Sequence, residues 1–116
     1  MPNIVFFATE RLQESVAFYR STFGAEIWLK QPDCTILKLD NLLLGFCQRE
    51  TADTDGIITI VVDSREEVDR YHERFSPLAE GEPTANDHYQ IYHFYLNDPE
   101  GRSVEVQSFD HETDPV

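Results

Sequence analysis

Four residues able to carry chemistry recur with strand spacing near the C-terminus: His93 and Tyr95 in HYQIYHFYL, and Glu105 and Gln107 in RSVEVQSF. At alternate positions of paired strands, an imidazole, a phenol, a carboxylate and an amide share one face. Such a set can hold a proton, orient a ligand or coordinate a cation. Between the two runs stands Asp98-Pro99-Glu100-Gly101, which reads as a type I turn with proline second and glycine taking the left-handed residue. That turn predicts Tyr95 opposite Glu105 and His93 opposite Gln107. It places Phe94, Leu96, Val104 and Val106 on the other face, which must pack under a helix and so turns the polar face toward a cavity or solvent.

The two cysteines, Cys34 and Cys47, are too few for a secreted disulfide scaffold and lack CxxC spacing for zinc. Reduced thiols are the simplest expectation. Asp40-Asn41 is a second turn, and a two-residue loop there would set Cys34 directly across from Cys47; a register shifted by one residue would part them. Aligning the two turns puts Gly45 where the second half has Glu105. His88 and His93 stand in no metal-ligand spacing, and neither a nucleophile–base–orienter set nor a phosphate loop is present.

The elements that must position these residues repeat within the chain. A shift of 52 residues superposes Val5 on Ile57, Glu14 on Glu66, Val16 on Val68, Tyr19 on Tyr71 and Phe23 on Phe75. Each copy opens with an apolar strand-like run, IVFFAT or IITIVVD, and continues into a helix-periodic segment. Leu12, Val16, Tyr19 and Phe23 predict one helix face with Gly24 as its stop. Ser64 followed by Glu67 predicts a capping box ahead of Val68, Tyr71 and Phe75. Three extended stretches follow each helix. The expected class is α+β: one domain over residues 1–116, built as paired βαβββ modules at about 1–50 and 55–112.

The 116 residues are 41 % hydrophobic and 12 % aromatic, enough for one ordinary core. Twenty-two acids against nine bases give a formal charge of -13, which disfavours nucleic acid and anionic membrane as partners. The acids are spread along the chain as a solvated coat, and only Lys30 and Lys38 are lysines; that composition resembles proteins of salt-loving organisms. No run reaches membrane-spanning length and MPNIVFF carries no charged leader head, so a soluble cytoplasmic protein is expected.

RLQESVAFYRSTFGAE and FYLNDPEGRSVEVQ, with the paired βαβββ repeat, resemble the vicinal oxygen chelate superfamily of glyoxalases, extradiol dioxygenases, fosfomycin-modifying enzymes and bleomycin-resistance proteins. The resemblance implies modules that curl a mixed sheet around a shared, ligand-sized cavity, and pairing into a homodimer. In metal-using members it implies four ligand positions around a divalent ion, which fall here on Ile4, Gly45, Gly56 or Ile57, and Glu105. Only Glu105 can coordinate, so no metal or other cofactor is expected; a displaced site drawing on His93, Glu105 and Cys47 is the alternative.

Three functions compete. A metal-free binder of the bleomycin-resistance type would line its cavity with Phe6, Trp28, Cys47, His93, Tyr95, Glu105 and Gln107 and hold a small organic ligand, cationic or aromatic. An enzyme, a lyase or isomerase or a dioxygenase relative, would use Glu105 as base with His93 or Tyr95 as acid, or Glu105 as a residual metal ligand. In a degenerate domain, Phe6, Phe46 and Trp28 would fill the space instead. The missing companions make Glu105 a lone polar anchor on the sequence reading.

Overall fold

A computed structural model describes residues 2–116. The apolar run after Asn3 becomes strand β1, Ile4–Thr9, and the helix-periodic segment behind it becomes α1, Leu12–Phe23. Strands β2, Glu26–Lys30, β3, Cys34–Leu39, and β4, Leu42–Gln48, complete the first module. The second repeats the order: β5, Ile57–Val61; α2, Arg65–Phe75; then β6, Thr84–Asn86, β7, Ile91–Asn97, and β8, Ser103–Phe109. A single 3₁₀ turn, Ser76–Leu78, follows α2. Each module forms a four-stranded mixed sheet, ordered β1-β4-β3-β2 in the first and β5-β8-β7-β6 in the second. The expected α+β class, βαβββ twice over, is what the chain adopts. Among the described residues no helix is long and apolar enough to cross a membrane.

The chain divides into two units. One holds the residues up to Thr54 together with Asp98–Glu100, and the other holds Asp55–Asn97 with Gly101–Val116.

In the first unit the core is Tyr19 under α1 with Ile36, Leu37, Leu44 and Phe46 from the sheet, all buried. The Tyr19 and Phe46 rings stack at 5.2 Å. The buried stripe of α1 runs through Ser15, Phe18, Tyr19 and Thr22, while Leu12, Val16 and Phe23 lie at its margins. The helix is thus rotated from the face its apolar spacing predicts. Polar partners account for the rotation: Ser15 Oγ and Thr9 Oγ1 share a hydrogen bond at 3.0 Å, and the Tyr19 hydroxyl donates to Asp98 Oδ2 at 2.7 Å. Buried hydroxyls satisfied in this way cost little, and serine lets the helix approach closely.

Helix α1 has no local side-chain cap at Arg11. Its orphan amides are served from far along the chain: Glu100 Oε1 accepts from the amides of Glu10 at 2.8 Å and Arg11 at 2.7 Å, and Gln48 Oε1 accepts from Leu12 at 3.0 Å. A carboxylate there also meets the positive end of the helix dipole. Gly24 ends the helix at φ 74°, as its position predicts.

Cys34 and Cys47 face each other in the β3–β4 register and form a disulfide. The cross-strand pairing agrees with the two-residue turn at Asp40-Asn41, whereas the expectation of reduced thiols is corrected. Direct opposition on adjacent strands brings the two sulfurs together, and both residues are buried.

In the second unit Ser64 caps α2, accepting from the Glu67 amide at 3.2 Å, and Glu67 reaches back to the Asp63 amide at 3.0 Å. Val68, Phe94, Leu96, Val104 and Val106 are its buried core. The tight turn closes with Gly101 at φ 89° and sets Tyr95 opposite Glu105 and His93 opposite Gln107, the predicted register.

The repeat needs one adjustment. Phe6 pairs with Gly45 and Thr59 with Glu105. The equivalent strand residues Phe6 and Thr59 are therefore 53 apart, one more than the shift of 52 that superposes Tyr19 on Tyr71 and Phe23 on Phe75.

Candidate functional site

Strand alternation and the turn at Asp98 bring His93, Tyr95, Glu105 and Gln107 to one face of β7 and β8, where they line a cavity of about 370 Å³ with Asn86, Tyr89, Ile91 and Phe109. Tyr89, two-thirds exposed, and Phe109 supply aromatic wall at the rim. Glu105 is the buried polar group, at 7 % exposure. Its carboxylate is not alone, which corrects the sequence reading. Thr59 Oγ1 donates to Oε1 at 2.8 Å and His93 Nδ1 donates to Oε2 at 2.5 Å. Burial, followed by the negative charge of Glu105, raises the Tyr95 phenol above the usual tyrosine value, so the hydroxyl stays a donor.

Thr59 was not among the nominated residues. Its signal was available: it is the one hydroxyl in the apolar strand IITIV, and the parallel pairing of β5 with β8 places it beside Glu105. Asn86, Tyr89, Ile91 and Phe109 were also missed, because lining depends on how the hairpin and β6 curve in space.

The other nominated residues lie elsewhere. Phe6 and Cys47 line a separate cavity of about 420 Å³ in the first unit, with Phe7, Ala8, Gln31, Cys34, Arg49 and Asp53. Phe6 is half exposed, and its ring covers Gly45. Trp28, also half exposed, sits at the bulge between Ile27 and Leu29 and lines neither cavity.

The donor set does not fit the divalent ion of metal-using relatives. Ile4 and Ile57 are apolar, the Phe6 ring fills the space at Gly45, and both oxygens of Glu105 are engaged. The displaced alternative fails as well, because Cys47 is spent in the disulfide. Among the described residues no three His, Cys, Asp or Glu side chains converge.

Solved structures of similar fold cover nearly the whole chain. Lactoylglutathione lyase from Agrobacterium tumefaciens is 26 % identical, with a TM-score of 0.75 over 93 % of this chain and 92 % of that one. The fosfomycin resistance protein FosX from Listeria monocytogenes shares 19 % identity and a TM-score of 0.77 over 93 % and 92 % of the two chains, a likeness of fold alone. An integron cassette protein from the mobile metagenome of the Halifax Harbour sewage outfall is 16 % identical with a TM-score of 0.80, covering 94 % of this chain and 98 % of that one. No curated protein matches. The family model described as Glyoxalase/Bleomycin resistance protein/Dioxygenase superfamily matches residues 2–106. With the doubled βαβββ order and the closing turn that carries Glu105, that match shows that the chain belongs to the glyoxalase/bleomycin resistance protein/dioxygenase superfamily.

Proposed function

We propose that this chain binds a small organic molecule on the pocket face of β7 and β8, without the divalent ion of the superfamily's metal-using members. One observation carries the reading: four polar side chains of different chemistry meet in a single cavity of about 370 Å³ rather than being scattered. A few polar groups inside an aromatic rim are what orient a drug-sized ligand. Tyr89 and Phe109 favour an aromatic or cationic molecule, since a ring face attracts both flat partners and positive charge.

The test is a thermal-shift screen of aromatic and cationic compounds, with elemental analysis of protein purified without chelators. Binding predicts that at least one compound raises the melting temperature of the parent and does so less for Glu105→Gln. If no compound raises it, the binding role falls; if a stoichiometric divalent ion is found, the metal-free reading falls.

A further inference from the structure

The bonds around Glu105 assign it a different role from that of a free carboxylate. Oε1 is held by Thr59 and Oε2 by His93. A carboxylate anchored through one oxygen by a strand hydroxyl is well placed to hold, through the other, a neighbour still. The neighbour it holds is His93. In the neutral ring, an Nδ1–H that donates to Oε2 leaves the lone pair on Nε2. Among the described residues Nε2 has no protein partner, and the ring lines the cavity next to Tyr95, the two rings meeting edge to face at 5.3 Å.

We propose that His93 is the general base of a metal-independent proton transfer in this pocket, working through Nε2, with Glu105 as its positioning residue. The proposal rests on the reading that a small molecule binds here. In the step, a C–H or O–H bond of the substrate breaks, its electron pair stays on the substrate and the proton moves to Nε2. The resulting imidazolium keeps both protons and faces the Glu105 carboxylate, which offsets its charge as a carboxylate does for the histidine of a catalytic triad. Returning the proton to another atom of the substrate restores the neutral ring, so no oxidant, reductant or further reactant is consumed. The substrate class is a compact aromatic or cationic molecule with one acidified proton. Glu105 as base with His93 as acid, the assignment that strand spacing alone suggests, is thereby reversed.

Two measurements test the roles. The first uses a nitro-substituted benzisoxazole, whose acidic C–H, once removed, lets the N–O bond break, a nitrile form and a coloured phenolate leave. The parent should open it roughly a hundredfold faster than His93→Gln, with Glu105→Gln in between. The second is nitrogen NMR of the His93 ring in the parent, which should show Nδ1 protonated and Nε2 bare, and in Glu105→Gln a mixture of tautomers. A merely structural Glu105 would leave that signature unchanged. Equal ring-opening rates in parent and His93→Gln, or an Nε2-protonated ring in the parent, overturn the assignment even where aromatic compounds still raise the melting temperature. Absence of any such thermal shift overturns the binding reading itself.

Discussion

The Phe6 ring occupies the space that any side chain at Gly45 would need: a Cβ built on Gly45 would lie 2.4 Å from Phe6 Cδ1. This is the first module's counterpart of the Thr59–Glu105 pair in the second, since each couples a residue of the module's first strand to one of its last. One module spends the position on a ring over a glycine, and the other on a carboxylate and its hydroxyl donor. The asymmetry leaves a single carboxylate where metal-using relatives need several ligands.

Gly45→Ala should therefore destabilise the protein by about 1–3 kcal/mol, the usual cost of forcing a group into occupied space. Phe6→Ala in the same chain should recover most of the loss, because the clash is with that ring alone. A double-mutant cycle by urea denaturation measures the coupling, and additive costs would contradict the steric account.

Tyr19→Phe should cost about 1.5–3 kcal/mol, the range for a buried hydrogen bond to a charged acceptor. Tyr19 is fully buried and its hydroxyl donates to Asp98 at 2.7 Å. The same denaturation experiment reads it, and a change below a few tenths would show that the hydroxyl is dispensable.

The Cys34–Cys47 bridge closes a short loop of sequence separation 13. Its removal in Cys34→Ala with Cys47→Ala should lower stability by about 3 kcal/mol through the freed unfolded chain. Thiol titration of the unreduced, denatured protein should find no free cysteine. Two titratable thiols would restore the reduced reading.

Tyr95 has its phenol raised above the ordinary 10.0, first by burial and then by Glu105. A raised folded value means that the protonated phenol favours the folded state below pH 10.0 and that this contribution is lost as pH climbs from there through the folded value. Ultraviolet titration should show Tyr95 ionising late, and Glu105→Gln should bring it earlier while leaving the burial part of the shift. An unchanged titration in Glu105→Gln would remove the carboxylate from the account.

With a formal charge of -13 spread over the surface, added salt should screen self-repulsion and raise the melting temperature between low and molar KCl. A flat or falling curve would mean that the acidic coat carries no such penalty.

Much of the fold was legible in neighbouring residues. Alternation in IYHFYLN and SVEVQSF fixed which side chains share a face, and the turn at Asp98 fixed their partners, because strand period and turn geometry act over a few residues. The helix stop at Gly24 and the cap at Ser64 are equally local. The rotation of α1 was not legible, since it follows from hydroxyl partners rather than apolar spacing: Thr9 with Ser15 six residues on, and Asp98 with Tyr19 across the chain. Nor was the N-terminal support of α1, whose acceptor Glu100 lies 89 residues beyond Arg11.

The candidate site divides in the same way. The sequence alone determined that Glu105 stands on a strand face with His93, Tyr95 and Gln107 and that its counterpart in the first module is a glycine. Only the tertiary structure decided that this carboxylate is held by Thr59 and His93, that Phe6 closes the space at Gly45 and that the two cysteines are bonded. The reason is physical: period and turn chemistry set the direction of each side chain, whereas hydrogen bonds and ring contacts between distant segments depend on distances that exist only once the sheets have formed.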